Sequence, residues 1–128
     1  MTRLVLDSGG VSHLATRRQK AVALIAVFQR DGLWPPLVPS VVLAETVTGR
    51  QHKDANITRF LKTCNIVEEV SEGLALRAGA LRTLAGQGSA IDALVVAIAE
   101  PGGAVLTTDL ADLRALASHS DGVHVHRP

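Results

Sequence analysis

The stretch Ser89-Ala-Ile-Asp92-Ala-Leu-Val-Val-Ala-Ile-Ala99-Glu-Pro-Gly-Gly103-Ala-Val-Leu-Thr107 decides the fold class. Ser89 has the residue type of a helix N-cap, and the apolar segment after it predicts a helix over Ala90 to Glu100. The sequence Pro-Gly-Gly ends this helix, and the run from Ala104 to Thr107 predicts a strand. A helix that is apolar on all sides is normally buried, so this helix is expected in the core.

Strands and helices alternate along the rest of the chain as well. Further strands are predicted at four short apolar runs: Arg3–Asp7, which leads into an Asp-Ser-Gly-Gly turn, Leu37–Pro39, Asn65–Val70 and Gly122–His126. Helices are predicted at five more segments: Val22–Phe28, Val41–Thr48 with Ser40 as N-cap, Asn56 as a cap through Lys62, Ser71 as N-cap through Leu84, and Asp109–Ala117. This alternation predicts an α/β fold with a mainly parallel sheet covered on both faces.

Length and composition exclude several classes of protein. The chain has 128 residues, 47% of them apolar, and one domain over residues 1–128 is expected. Its aromatic residues, Phe28, Trp34 and Phe60, are too few for the base-stacking surfaces of single-strand RNA-binding modules. The lone Cys64 excludes a disulfide framework and an all-cysteine zinc site. No apolar run reaches the ~20 residues of a membrane span, and Asp7 comes too early for a signal peptide, so we expect a cytoplasmic protein without a membrane partner.

The basic residues are concentrated in one part of the chain. The segment from Arg17 to Lys62 has eight basic and three acidic residues, a net charge of +5, whereas the whole chain has only +1. A basic region on a nearly neutral protein is compatible with a phosphate-backbone partner. The simpler interpretation of the charge alone is a set of solvated helix faces.

Four acidic residues fall where the strands of such a sheet end. Asp7 closes the first strand and Asp109 follows the Ala104–Thr107 strand, while Glu45 and Asp92 lie in early turns of helices. Ligands of open α/β sheets bind at the carboxyl ends of the strands, and all four acids can reach that edge. No lysine or arginine lies within four residues of Asp92 or Asp109, and converging carboxylates repel each other unless a cation neutralises them. The pattern therefore predicts a site for Mg²⁺ or Mn²⁺, which prefer oxygen ligands.

Each acid also has a purely structural interpretation. Asp7 suits a turn, Glu45 a solvated helix face, and Asp109 the N-cap of the next helix. Asp92 lies three residues after Ser89, the spacing of a capping box. As the only polar residue between Ala90 and Ala99, it is held at the rim of the core, where an unpaired carboxylate costs stability. The coincidence of four such acids favours the metal site.

The chain resembles the PIN-domain ribonucleases, specifically the VapC-type toxins of bacterial toxin–antitoxin pairs. The resemblance spans nearly the whole chain and rests on the order and spacing of four segments: Leu4-Val-Leu-Asp7-Ser8, Val38-Pro-Ser-Val-Val-Leu-Ala-Glu45, Ser89-Ala-Ile-Asp92-Ala-Leu-Val-Val-Ala-Ile-Ala99 and Leu106-Thr-Thr-Asp109-Leu-Ala-Asp112-Leu113. One departure is the pair Gly9-Gly10, where these toxins usually have bulkier residues.

The resemblance implies the roles of particular residues. The metal-binding, catalytic acids would be the four named above: Asp7, Glu45, Asp92 and Asp109. Asp112 matches a further acidic position that some members use. Ser8 and Thr107 match positions whose hydroxyls support the acids or contact the scissile region.

The resemblance also implies the architecture, the reaction and the partners. The fold would be a PIN-like three-layer α/β/α sandwich with a five-stranded parallel sheet of order 3-2-1-4-5. The activity would be Mg²⁺- or Mn²⁺-dependent endoribonuclease cleavage, with a metal-activated water attacking the phosphodiester. The partners would be the RNA substrate, a small cognate antitoxin and a second copy of the chain. The helices between Arg17 and Lys62 are the candidate docking surface for the antitoxin or the second copy.

Other interpretations have less support. His124 and His126 share one face of the last strand, but a solvated face is favoured over a metal site. A haloacid-dehalogenase phosphatase requires an acid where Gly9 stands, and a receiver domain requires a lysine after a late strand, yet no lysine follows Lys62. The alternative function is a PIN-like module that only binds RNA or protein. Such a binder would gain by losing the mutual repulsion of the acids.

Overall fold

The computed structural model describes residues 2–128 and gives five strands and seven helices within that range. Along the chain the elements are β1 (Leu4–Leu6), α1 (Ser8–Ala15), α2 (Gln19–Arg30), β2 (Leu37–Pro39), α3 (Ser40–Thr46), α4 (Gln51–Leu61), β3 (Asn65–Val67), α5 (Glu72–Ala85), α6 (Ala90–Ala99), β4 (Ala104–Leu106), α7 (Leu110–Ala117) and β5 (His124–His126).

The five strands form one sheet in which every neighbouring pair is parallel, in the order β3-β2-β1-β4-β5. The helices form two groups: α2, α3 and α4 pack around α1, and α5 and α7 pack against α6. The central strand β1 and its neighbour β4 are buried along their whole length, as expected where helices cover both faces. The predicted three-layer α/β/α sandwich with a five-stranded parallel sheet is thereby confirmed, including its strand order.

The strand order places a switch point between β1 and β4. From β1 the chain builds outward through β2 and β3 on one side, and it then returns to build β4 and β5 on the other side. The register pairs Leu4 with Ala104 and Leu6 with Leu106, so β1 and β4 end level with each other. Ligands of open α/β sheets bind in the crevice at such a point. Asp7 and Thr107 are the first residues beyond these two strand ends.

Helix α6 has the predicted cap and the predicted burial. The Asp92 amide donates to Ser89 Oγ at 3.0 Å, and the Ser89 amide donates to Asp92 Oδ2 at 3.2 Å, which completes a capping box. The residues from Val95 to Ala99 are buried against the sheet and the neighbouring helices. No single helix among residues 2–128, α6 included, is both long and apolar enough to cross a membrane.

The predicted turn after β1 is wrong, because residues Ser8–Ala15 form helix α1. Asp7 is the N-cap of this helix, and its carboxylate accepts a hydrogen bond from the Gly10 amide at 2.8 Å. The adjacent residues Gly9 and Gly10 have a low helix propensity, so the local sequence does not predict this helix. Packing of α1 against its neighbours overrides that propensity.

Two further caps and several boundaries also differ from the prediction. Pro39 rather than Ser40 holds the N-cap position of α3, and the Ser40 hydroxyl donates instead to the Glu68 carbonyl at 3.0 Å. Helix α3 ends at Thr46 instead of Thr48, and α4 begins at Gln51, well before Asn56. Strand β3 stops at Val67 and β5 starts at His124, so both strands are shorter than predicted. The prediction of Ser71 as the cap of α5 is confirmed, since its hydroxyl oxygen accepts from the Leu74 amide at 3.1 Å.

Candidate active site

A chain of hydrogen bonds joins the ends of β1 and β4. The Asp7 carboxylate, only 5% exposed, accepts from the Gly10 amide through Oδ1 and from the Thr107 hydroxyl through Oδ2. The oxygen of that hydroxyl in turn accepts from the Asp109 amide at 2.8 Å. Thr107 is completely buried, so its position is fixed by packing as well. The chain of contacts holds Asp7 in one orientation and sets the backbone that carries Asp109.

The Gly9-Gly10 pair lets α1 approach β4 closely. A Cβ on Gly10 would collide with the Leu106 carbonyl oxygen, and a Cβ on Gly9 would collide with the Thr108 hydroxyl. The absence of side chains at these two positions brings the start of α1 against the β4–α7 connection. The two glycines, at which the sequence departs from these toxins, therefore allow a close junction beside Asp7.

Three carboxylates lie close together at the entrance of this crevice. Asp92, Asp109 and Asp112 each have an oxygen within 4.8 Å of the others, and they are the group of three potential metal ligands found among residues 2–128. Asp109 is exposed, and the other two are half-buried. We call these three residues the acid cluster.

The capping and cluster interpretations of Asp92 both hold in the structure. One carboxylate oxygen closes the capping box with Ser89, and the side chain still reaches the acid cluster. Asp109 occupies the N-cap position of α7 but makes no side-chain capping hydrogen bond. The N-cap interpretation of Asp109 is therefore confirmed for its position but not for a capping side chain.

Asp7 and Glu45 are not members of the acid cluster, but the charge of Asp92 raises the pKa of both. Burial raises the pKa of Asp7 above its ordinary value, and Asp92 and Asp109 raise it further, against the hydrogen bonds from Thr107 and Gly10 that lower it. Partial burial raises the pKa of Glu45, with smaller contributions from Asp92 and Asp7. Glu45 is itself exposed, in the last part of α3. The structure thus brings all four predicted acids into one electrostatically coupled group.

The acid cluster itself is also electrostatically unfavourable. Burial raises the pKa of Asp109, and the neighbouring carboxylates of Asp112 and Asp92 raise it further. Each side-chain charge that shifts the pKa of Asp7, Glu45 or Asp109 is negative. Carboxylate oxygens in this arrangement are hard donors of the kind that Mg²⁺ and Mn²⁺ prefer, so the residues present fit such an ion.

Gln87 contacts the acid cluster, although the sequence did not predict this residue. Its side-chain amide donates to Asp112 Oδ1 at 2.9 Å from the loop between α5 and α6. The loop is shaped by Gly86 and Gly88, with φ of 68° and 92°. In the sequence, the available indication of this loop was the segment Gly-Gln-Gly directly before the predicted cap Ser89.

Ser8, a predicted supporting residue, is half-buried at the first position of α1, next to Asp7.

The remaining candidate residues are the two histidines of the last strand and the single cysteine. His124 and His126 are both exposed on the edge strand β5. Cys64 is half-buried, and burial raises the pKa of its thiol to about 11, so it stays protonated at neutral pH. The two histidines and the cysteine are therefore not added to the predicted set of site residues.

The chain matches no protein-family model and no curated protein. Its structure is similar to that of DNA-bound VapBC from Salmonella typhimurium, with a TM-score of 0.70 and 13% identity over 99% of this chain and 98% of that chain. It is also similar to PAE2754 from Pyrobaculum aerophilum, with a TM-score of 0.64 and 15% identity over 97% of this chain and 90% of that chain. At these identities the likeness shows a shared fold, which agrees with the PIN-like fold expected from the sequence motifs.

Proposed function

We propose that this protein is a metal-dependent endoribonuclease toxin that a cognate antitoxin neutralises. The observation that carries the proposal is the convergence of carboxylates at the switch point between β1 and β4. Three of them have a raised pKa and are shifted by other negative side chains. Such an arrangement destabilises the protein unless a cation binds, and strained clusters of this kind are typical of functional sites.

In this proposal, Asp7, Glu45, Asp92 and Asp109 hold a divalent cation, Mg²⁺ or Mn²⁺, and Asp112 is a further ligand. When bound, such an ion activates water and neutralises charge on the phosphodiester. The protein's contribution is to fix these oxygens before substrate arrives. Thr107 orients Asp7 through its hydroxyl.

The supporting side chains complete this arrangement. Thr107 also holds the backbone of Asp109, and Gln87 orients Asp112. We assign Ser8, beside Asp7 at the start of α1, to contact with the scissile region of the RNA. None of these groups has to act as a nucleophile.

The direct test is cleavage of total RNA in Mg²⁺, in Mn²⁺ and in EDTA, with the cut ends mapped by sequencing. Cleavage should require the metal, and Asp7→Asn should reduce the rate by a factor of about 10² or more, as loss of a preorganised electrostatic group does. Asp54→Asn is the matched control, because Asp54 is an equally buried acid that contacts the α3–α4 loop instead of the acid cluster.

Cleavage that persists in EDTA, in a preparation free of contaminating nuclease, would contradict the metal dependence. RNA binding without cleavage under any metal condition would replace the proposal by the alternative, a non-catalytic RNA-binding module. Equal loss in Asp7→Asn and Asp54→Asn would indicate a folding defect rather than loss of a metal ligand.

The antitoxin part of the proposal is supported by the similarity to a VapBC complex and by one surface of this chain. A pocket of about 230 Å³ opens between α1, α2 and α4, inside the basic region. Its walls combine apolar and cationic side chains: Leu14, Ile25, Trp34, Phe60, Arg17 and Arg59. Such a pocket suits an apolar segment of a partner with acidic flanks. A second copy of the chain is the other occupant that we propose for this region.

Expression in a bacterial host tests the toxin assignment. Expression alone should arrest growth from within the cytoplasm, and co-expression of the small protein encoded beside it should restore growth. Asp7→Asn should be harmless. Normal growth with abundant, folded wild-type protein would contradict the assignment.

A further inference from the structure

An open pocket of about 480 Å³ lies beside the acid cluster, on the C-terminal end of α5. Helix α5 and the loop that follows it line the pocket, with Gly79, Arg82, Thr83, Gly86, Gln87 and Gly88. We call it the α5 groove. Gln87 belongs to both places, because it lines the groove and donates a hydrogen bond to Asp112 of the acid cluster. The groove and the candidate active site are therefore joined through Gln87.

The groove presents a cation and donors next to a group of carboxylates. Arg82 is exposed in the last turn of α5, and its guanidinium offers donors that match phosphate oxygens. The Gln87 amide has two N–H donors, so it can bond Asp112 and a second acceptor together. A polyanion approaching the acid cluster is repelled by it, and a neighbouring arginine offsets that repulsion.

The loop that forms one wall of the groove is held against α7. A Cβ on Gly88 would lie 2.8 Å from Leu116 Cδ1, so the loop rests directly on that helix. Gly86 has open space where a Cβ would lie, so this part of the wall lets a ligand backbone come close. The groove and Asp112, which is also on α7, are thus fixed relative to each other.

We propose that the α5 groove binds the sugar–phosphate backbone of the RNA on one side of the scissile bond. Arg82 pairs with a phosphate, and Gln87 contacts the same strand while it orients Asp112. This assignment rests on the proposed ribonuclease activity. It makes Arg82 a substrate-binding residue that lies outside the metal site.

The test combines binding with steady-state cleavage of a short fluorescein-labelled single-stranded RNA. Binding is measured by fluorescence anisotropy over a series of salt concentrations, in an Asp7→Asn background that leaves the RNA intact. Arg82→Gln should weaken binding about fivefold and reduce the slope of log K against log salt by about 0.7, the value for one phosphate contact of a single strand. In the cleaving protein it should raise KM with a smaller change in kcat.

Arg114→Gln is the control, because Arg114 is likewise exposed in the last turn of its helix and its loss changes the net charge equally. Arg114→Gln should leave the salt slope unchanged, and Arg82→Lys should restore the slope that Arg82→Gln loses. Thermal melting of each variant separates RNA binding from a role of Arg82 at the negative end of α5.

The alternatives give different results. If the wild type cleaves RNA but Arg82→Gln and Arg114→Gln have the same KM and salt slope, the groove assignment is overturned and the ribonuclease assignment stands. A lower melting temperature for Arg82→Gln with unchanged binding makes Arg82 a structural residue and also overturns the groove. If the wild type cleaves no RNA, the proposed function fails, and the groove assignment fails with it.

Discussion

Asp7 and Asp54 have almost the same exposed surface fraction, 5% and 6%, yet their environments shift their pKa values in opposite directions. Asp54 accepts hydrogen bonds from the Thr48 amide at 3.0 Å, the Thr48 hydroxyl at 2.8 Å and the Gly49 amide at 2.9 Å. These bonds, the Thr48 amide first, lower the pKa of Asp54. Burial instead raises the pKa of Asp7, and its two donors do not compensate.

The difference separates a structural carboxylate from a functional one. The charge of Asp54 is stabilised where it lies, and it fixes the loop between α3 and α4. The charge of Asp7 is disfavoured by burial and by neighbouring acids, which is the arrangement expected where a cation is to bind. The exposed surface fraction and the residue type alone do not distinguish the two cases, whereas the balance of desolvation, hydrogen-bond donors and like charges does.

The largest expected effect concerns the glycines that donate their amides to these two acids. Gly10→Ala should lower the free energy of unfolding by about 3 kcal/mol, because the new Cβ collides with the Leu106 carbonyl. Gly49→Ala should cost only about 1 kcal/mol, since its Cβ meets open space and the cost is that of a left-handed φ of 80°. Urea unfolding of both variants measures the difference. Equal costs would show that α1 can move away from β4.

A smaller effect is expected for Asp54→Asn, which removes the charge from a fully bonded carboxylate. An asparagine side chain has one acceptor oxygen, so it can accept fewer of the three hydrogen bonds that Asp54 accepts. The melting temperature should therefore fall by several degrees, and RNA cleavage should be retained below that melting temperature. Differential scanning calorimetry, with EDTA and with Mg²⁺, provides the measurement. A fall that Mg²⁺ reverses would connect Asp54 to the metal site and remove the contrast with Asp7.

The sequence predicts the order of the elements and the candidate acids, but it does not predict the contacts that hold those acids. The helix caps at Ser71 and Ser89 are local, so their signals are visible within four residues of sequence. Helix α1 was missed because its stability comes from packing that a Gly-Gly pair permits. The contact between Gln87 and Asp112 joins residues 25 positions apart, and no local pattern encodes it.

Asp92→Asn should raise the melting temperature slightly in EDTA and abolish most cleavage. The amide oxygen can still accept from the Ser89 amide, so the capping box survives while one repelling charge is removed. The loss of a negative charge at the helix N-terminus opposes this gain by about 0.3–1 kcal/mol. The melting temperature in EDTA shows which is larger, the relief of charge repulsion or the loss of the favourable charge at the helix N-terminus. A less stable variant that still cleaves RNA would leave Asp92 as a helix cap only.

The smallest expected effect is the pH dependence of stability without metal. Asp7, Glu45 and Asp109 have folded pKa values above their ordinary values of 3.8, 4.5 and 3.8, so the folded state binds protons before the unfolded state does. Stability should therefore rise as pH falls from neutral through these raised values. At still lower pH it should fall, because Asp54 and Glu100 have lowered pKa values and the stabilisation from their charges is lost on protonation.

Thermal melting in EDTA across this pH range gives the profile. Asp7→Asn should flatten the rise, and Asp54→Asn should flatten the fall. A wild-type stability that only decreases below neutral pH would show that the acids at the crevice do not repel one another appreciably.

The central claim is that the charge of Asp7 is held in place for a cation, and melting of wild type and Asp7→Asn with and without Mn²⁺ tests it most directly. The amide can keep the contacts to Gly10 and Thr107, because the threonine hydroxyl can accept as well as donate. In EDTA the variant should melt at a higher temperature than the wild type, and added Mn²⁺ should stabilise the wild type much more than the variant. A variant that melts lower in EDTA and responds to Mn²⁺ as the wild type does would contradict the claim.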